Sequence, residues 1–286
     1  MKQSPILENL LLTLPAKADQ HSPESELHIS MKQEARKEII SLFPTSDDQQ
    51  AVDFKPFGEL IFPYHKMGAI DSLNLFDLDE LIIFSFYWKN RNSYKRTLDV
   101  GANLGLHSIM MAKCGFEVQC YEPDPTHFKI LTENLARNNC TAVKPFNCAA
   151  SIKSGEMEFT RVLGNTTGSH LSGAKANPYG ELERFKVQVV NIRPLMAEAQ
   201  LIKMDVEGHE KDILLATEEA DWENTDAMVE IQDENNAKAV YEHFNKMKVN
   251  LFPQKINWTQ ARTLDDMPTS YREGTLFISC KDKMPW

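Results

Sequence analysis

No stretch of this chain is both long enough and apolar enough to cross a bilayer. The longest apolar run, Leu81–Trp88, is broken by Ser85, and a spanning helix needs roughly 20 such residues. The N-terminal ILENLLLTLPAKA carries an A-x-A at Ala16–Ala18, but Glu8 interrupts it and the apolar run Leu10–Leu12 is too short for a signal-peptide core. It reads as a short helix. Cysteine is scarce and unpatterned: the five residues, at 114, 120, 140, 148 and 280, include no CxxC pair. That argues against a disulfide framework and against a zinc site. Cys120 and Cys148 fall in strand patterns and read as small buried apolar residues, so a reducing cytoplasm is the expected setting. Positive charge is also short, with a formal net charge of −10. Nucleic-acid surfaces draw on clustered Lys and Arg; the local run Lys89–Arg96 reads as a solvated helix end, and no nucleic-acid partner is expected. No internal repeat is visible.

What the chain does have is ordinary globular composition and one informative loop. Hydrophobic residues make up 42% and charged residues 25% of 286 positions, enough to bury a sizeable core. In Thr97–Gly105, TLDVGANLG, an apolar strand ends in Asp99 and breaks into a turn holding Gly101, Ala102, Asn103 and Gly105. A second strand, EVQCYEPD at Glu117–Asp124, ends in Glu122 and Pro123, 23 positions after Asp99. Glycine lets backbone approach a ligand and adopt positive φ. The free amides of the following helix N-terminus suit an anionic group, and an acid at the second strand tip can accept from a ribose diol.

The loop also sorts the ligands. A dinucleotide site wants G-x-G-x-x-G, whereas Asn103 stands at the second glycine and His107–Ser108 where the third would fall. The lysine of a P-loop is missing. Asp99 would repel a phosphate but suits a ligand with a cationic amine, which points to S-adenosylmethionine.

DVGANLG, YEPDP and IKMDVEGHE at Ile202–Glu210 together resemble the FkbM-type methyltransferases, a branch of the class I S-adenosylmethionine-dependent enzymes. FPYHKMGAIDSLNLFDLDELIIFSFYWKN is similar to sequence upstream of the core in many members, so the resemblance runs from about Phe57 to Cys280. It implies a Rossmann-like α/β fold with a mostly parallel seven-stranded sheet, an antiparallel closing strand and helices on both faces. In such a fold Asp99 would hold the cofactor's amino group, directly or through water. Gly101 to Gly105 would wrap its amino-acid moiety, Glu122 would hold the ribose, and Ala149 and Ala150 would leave room for adenine. One departure is local. Members often carry a Leu-Asp pair about ten residues before the fourth strand's acid, where this chain has Asn191-Ile192-Arg193-Pro194-Leu195.

Alternating strand and helix signals from Thr97 onward predict a parallel sheet covered on both faces. Expected strands are Arg96–Val100, Glu117–Tyr121, Ala142–Ala149, Leu201–Asp205, Ala227–Ile231 and Thr275–Cys280, with helices at Leu106–Cys114, Pro125–Asn138, Lys211–Ala216 and Ala237–Met247. Residues 1–95 read as an N-terminal helical and strand extension packing on a 96–286 methyltransferase domain. The extension is expected to hold a helix at Glu34–Phe43, an exposed linker at Ser46–Gln50, a strand at Phe57–Pro63 and a helix at Asp77–Lys89 capped by Asp77 or Asp79.

Near 155–192, strand-like runs Glu156–Val162 and Phe185–Ile192 flank LGNTTGSHLSGAKANPYGELE. This polar excursion reads equally as a solvated hairpin tip or as a substrate loop, with Asn165, Thr167, Ser169 and His170 as contacts.

The remaining chemistry sits at Lys203, Asp205, Glu207, His209 and Glu210, after the fourth sheet strand, where open α/β sheets bind ligands. Residues 203, 205 and 207 share one face if the strand stays extended. Methyl transfer to a hydroxyl needs in-line alignment and removal of a proton, so Asp205, Glu207 and His209 are the base candidates. His209 and Glu210 read more simply as the turn into the next helix. A metal on Asp205, Glu207 and Glu230 is conceivable, but nothing in the spacing demands one. His107, Tyr64 and His65 rank lower as site residues. The expected activity is O-methylation of a small molecule or glycan. The alternatives are an N- or RNA methyltransferase or a catalytically silent binding module. Oligomeric state is not legible.

Overall fold

A computed structural model describes residues 1–45, 50–174 and 180–286. In chain order the strands are β1 (Lys2–Gln3), β2 (Val52–Asp53), β3 (Glu59–Leu60), β4 (Arg96–Val100), β5 (Glu117–Tyr121), β6 (Lys144–Phe146), β7 (Ala149–Ser151), β8 (Gly155–Val162), β9 (His170–Leu171), β10 (Leu182–Asn191), β11 (Leu201–Met204), β12 (Asp226–Val229), β13 (Asn250–Pro253) and β14 (Leu276–Ser279). The helices are α1 (Pro5–Thr13), α2 (Glu26–Leu42), α3 (Leu78–Lys89), α4 (Leu106–Lys113), α5 (Pro125–Arg137), α6 (Arg193–Met196), α7 (Glu210–Leu215) and α8 (Glu234–Phe244).

Seven strands form the central sheet in the order β13-β14-β12-β11-β4-β5-β6. β6, β5, β4, β11 and β12 run parallel, while β14 is antiparallel to both its neighbours. This is the expected class I methyltransferase sheet with its antiparallel closing strand. The central parallel strands are covered on both faces: Leu201–Met204 and Asp226–Val229 are buried at every position, Lys203 and Asp226 included. The chain order reverses direction between β4 and β11, and the carboxyl ends at such a switch point are where a crevice forms.

A second sheet, β7-β10-β8-β9, is built from the 149–191 excursion. The two strand-like runs flanking that excursion pair antiparallel from Leu182↔Val162 to Val189↔Gly155. Of the excursion, residues 163–171 are anchored on the rest of the chain. Thr166 N–H donates to Met67 O at 3.1 Å and Ala69 N–H to Gly164 O at 2.8 Å, which ties the tip to the segment before α3. Gly68 allows that closeness, since a Cβ there would sit 2.2 Å from Gly164 O.

The N-terminal segment contributes α1, α2 and α3, each capped by a side chain, respectively Ser4, Ser25 and Asp77. α3 is buried nearly all round, and one apolar cluster runs from Leu7 and Ile39 through Phe84 to Ile109, Met110 and Phe277.

Several boundaries differ from expectation. The Ala142–Ala149 strand splits: Lys144–Phe146 stays in the central sheet and Ala149–Ser151 joins the second. Between them Asn147 turns its amide onto the carbonyls of Glu122 and Pro123, breaking the ladder. Strand Phe57–Pro63 shrinks to Glu59–Leu60. The helix expected at Glu34–Phe43 starts at Glu26, because Ser25 caps it, and the last helix starts at Glu234 behind Asp233. β13 was not anticipated, as a four-residue edge strand ending in Pro253 carries almost no pattern. Residues 46–49 of the expected linker, and 175–179 of the excursion, lie outside the described residues.

Candidate functional site

The turn after β4 is shaped by a close crossing of two strand ends. Gly101 has φ +82°, and a Cβ there would fall 1.7 Å from the Asp205 carbonyl oxygen. Only glycine lets β4 and β11 end this near each other. The Gly101 and Ala102 amides both donate to Tyr121 O at 3.0 Å. Asn103, at φ +50°, donates its amide to Glu122 Oε2 at 2.8 Å. Gly105 caps α4 in a left-handed conformation and packs on Leu131.

Above these ends opens a cavity of about 670 Å³, a size suited to a cofactor or small ligand. Gly101, Asn103, Glu122, Pro123, Ala149, Lys203, Asp205 and Glu207 all line it, so most of the residues expected from sequence converge. Tyr121, Ala149, Ala150, Phe159, Val162 and Leu171 give it an apolar end. From the tip of the second sheet, Asn165, Thr167, Ser169 and His170 line it as well.

Glu122 is buried, with its oxygens accepting from the amides of Asp124 and Asn103 at 2.8 Å each. Burial outweighs those bonds and pushes its carboxyl up to about 8. Asp99 lies beneath the turn, fully buried and outside the lining, with Oδ2 accepting from Ser108 at 2.5 Å. Its Oδ1, like Asn103 Oδ1, is buried without a hydrogen-bond partner. Such orphaned acceptors are costly unless a bound donor meets them.

Lys203 Nζ lies 3.2 Å from Asp205 Oδ2. Burial opposes the charge on Lys203, yet Asp205, Asp99 and Glu80 hold its pKa above the usual range. Burial would raise Asp205, but Lys203 holds it below the usual carboxylate range. Burial and the carboxylates of Asp205, Glu207 and Glu210 push Glu230 well above the usual carboxylate range, opposite to Asp205. Glu207 does not share the strand face of 203 and 205. β11 ends at Met204 and Glu207 turns left-handed at φ +57°, because Glu210 folds its carboxylate back onto the amides of Val206 and Gly208. Burial and the nearby Asp205 charge outweigh those amide bonds and push Glu210 up to about 8, and the bonding gives it a structural part.

His209 is not brought to this cavity. It lines a separate hollow, with Nε2 at 2.7 Å from Ser151 Oγ and Nδ1 at 3.3 Å from Asp212. His107 is likewise drawn away, between Tyr87 OH at 3.0 Å and Glu80 at 2.8 Å. Tyr64 bonds Asp71 and does not line the cavity, nor does His65.

Several lining groups escaped the sequence reading. Asp77, Asp79 and Glu80 at the start of α3 contribute one wall, although a capping reading alone explained them. Asp124 lines the cavity and receives two bonds from Arg161, at 2.7 and 2.6 Å, which pins the second sheet to β5. No motif links positions 37 apart, so nothing in the sequence signalled that pair. Among the described residues no group of three or more His, Cys, Asp or Glu side chains is placed to hold a metal ion.

Residues 99–255 match the model of the methyltransferase FkbM domain. The chain is 26% identical over 159 residues to the methyltransferase sdnD of Sordaria araneosa, covering 44% of this chain and 61% of that protein. It is 27% identical over 164 residues to the hexuronic acid methyltransferase AglP of Haloferax volcanii, covering 56% and 65%. It thus spans a little under two thirds of the length of these relatives. Among solved structures it is similar to a SAM-dependent methyltransferase from Agrobacterium tumefaciens (TM-score 0.42, 8% identity, 83% of this chain and 72% of that one). It is also similar to an O-methyltransferase from Bacillus cereus in complex with SAH (TM-score 0.37, 10% identity, 68% and 78%). The fold rests on the strand order and not on these distant likenesses.

Proposed function

Because this chain belongs to the FkbM methyltransferase family, we propose that it transfers a methyl group from S-adenosylmethionine to a hydroxyl of a small molecule or glycan. The observation that carries this reading is the Lys203–Asp205 pair, set at the switch point in the same cavity as Glu122 and Asn103.

The residues fit the cofactor. Glu122 would accept from the two ribose hydroxyls. Asn103 Oδ1, buried and unpartnered, would accept from its ammonium, and the apolar end around Ala149 would take adenine. Asp99 is a positioning residue, holding α4 through Ser108 and supporting the charge on Lys203. When bound, the cofactor supplies an electrophilic methyl on a sulfonium.

Asp205 then takes the base role. It stays ionised because Lys203 holds its pKa down, while burial and its acidic neighbours push Glu230 the other way. Its free lone pairs orient the acceptor hydroxyl and receive its proton as the oxygen–carbon bond forms. Lys203 fixes the carboxylate and stabilises developing charge on the acceptor oxygen. His209 faces a different hollow, and Glu207 is the second candidate base, since it lines the same cavity.

Asp205→Asn tests the assignment. It should lower kcat by at least 10²-fold while leaving the dissociation constant for S-adenosylhomocysteine within about threefold. An unchanged kcat would move the base to Glu207.

A further inference from the structure

We infer that the acceptor is a neutral or amine-bearing polyhydroxylated ring seated beside Tyr271, and that this cavity turns away acceptors bearing a carboxylate or phosphate. The inference rests on the methyltransferase reading and concerns the half of the cavity not needed for the cofactor. The cavity lining includes Asp77, Asp79 and Glu80 from the start of α3 and Asp205, Glu207 and Glu230 from the ends of β11 and β12.

Among the described lining residues Lys203 is the sole Lys or Arg, and Asp205 already holds it at 3.2 Å. The groups that partner the α3 acids come from behind the wall. Lys32 Nζ reaches Asp77 at 2.7 Å, His28 reaches Asp79 at 2.9 Å, and His107 reaches Glu80 at 2.8 Å, yet none of the three lines the cavity. Among the described lining residues an entering anion therefore meets carboxylates and no Lys or Arg other than the paired Lys203, in a site where charges are poorly screened. Hydroxyl and ammonium groups meet acceptors instead.

Tyr271 is a second and independent pointer. The residue is 55% exposed, although it lies on the cavity lining in a 3-10 turn, Tyr271–Glu273. Large aromatics left open at a polar rim commonly mark a binding surface, and a flat ring offers the C–H face of a sugar a stacking surface. Arg272 lies over the ring at 5.5 Å and is not part of the lining. Gln232 and Asn74 supply amides beside the carboxylates, so the wall pairs an apolar plate with hydroxyl-binding groups.

The test is a glycan array probed with the full chain saturated with S-adenosylhomocysteine. The spots carry matched pyranosides differing only as neutral hexoside, 2-amino-2-deoxyhexoside, hexuronoside and hexose phosphate. Neutral and amino rings should bind at least tenfold more strongly than the uronoside and the phosphate, and Glu80→Gln should narrow that ratio. Tyr271→Ala should weaken ring binding about tenfold without changing affinity for S-adenosylhomocysteine. Equal or stronger binding of the anionic rings, or no binding of any ring, would overturn the inference. A separate titration with S-adenosylhomocysteine tells the two failures apart: if it binds, only the acceptor class falls, and if it does not, the methyltransferase reading falls with it.

Discussion

Gly101→Ala perturbs the joint on which the site is built. An alanine at φ +82° costs about 1–2 kcal/mol for left-handed backbone. The added Cβ would also stand 1.7 Å from Asp205 O, about half of a normal contact distance of roughly 3.5 Å. Because that neighbour is backbone, no rotamer change can relieve the overlap; β4 and β11 must separate, at a cost of about 1–3 kcal/mol. The sum, roughly 2–5 kcal/mol, is a large share of a typical folding free energy, and at about 2–4 °C per kcal/mol it lowers Tm by about 4–20 °C. Gly115→Ala is the matched control: φ is +86° but nothing lies within 4 Å of the added Cβ, so only the backbone cost of about 1–2 kcal/mol applies. Differential scanning fluorimetry of both variants isolates the steric part, and S-adenosylhomocysteine binding should fail in Gly101→Ala alone. Equal Tm losses in the two variants would refute the argument that strand proximity requires this glycine.

Three further outcomes are expected. Glu122 titrates near 8 in the free protein, and ribose hydroxyls favour its ionised form. Affinity for S-adenosylhomocysteine should therefore rise with pH, by up to about tenfold per unit below pH 8, and level off above it; calorimetry should detect proton release that Glu122→Gln abolishes. Removing Arg161, which is 14% exposed against an Asp124 that is 1% exposed, leaves a buried carboxylate unpaired. Arg161→Ala should destabilise the chain by about 3–5 kcal/mol in denaturant unfolding. Burial would raise Asp124, but Arg161 holds it low, so the stability Arg161 provides is present at neutral pH and fades as pH falls through the Asp124 pKa. Finally, kcat at saturating cofactor and acceptor should stay flat between about pH 5.5 and 8, because Asp205 is already ionised there. An acidic limb in that window, lost in His209→Ala, would transfer the base role to histidine.

The parallel core was legible because β4, β5, β11 and β12 are short, largely apolar runs, each followed by a glycine or an acid, and because helix signals stand between them. Asp99, Gly101 and Glu122 stood out for that reason, and the alternation pointed to a parallel sheet, though not to its strand order. What escaped depends on contacts between distant positions. The split at Asn147 follows from its amide reaching Glu122 and Pro123. The displacement of Glu207 from the 203–205 face follows from Glu210 folding back on the Val206 and Gly208 amides. The acidic wall of α3 was hidden because Asp77 and its neighbours satisfy a helix-capping pattern, and a cap and a cavity wall look the same in sequence. Arg161 and Asp124 carry no local signal at all.

The central claim is that one cavity joins a cofactor-binding end at Glu122 to a base at Asp205. Methyl-transfer kinetics of Glu122→Ala and Asp205→Asn, each paired with calorimetric titration of S-adenosylhomocysteine, test it directly. The account predicts that Glu122→Ala loses affinity for S-adenosylhomocysteine, whereas Asp205→Asn keeps that affinity and loses turnover. A wild-type chain that binds no S-adenosylhomocysteine, or an Asp205→Asn variant that turns over normally, would contradict it.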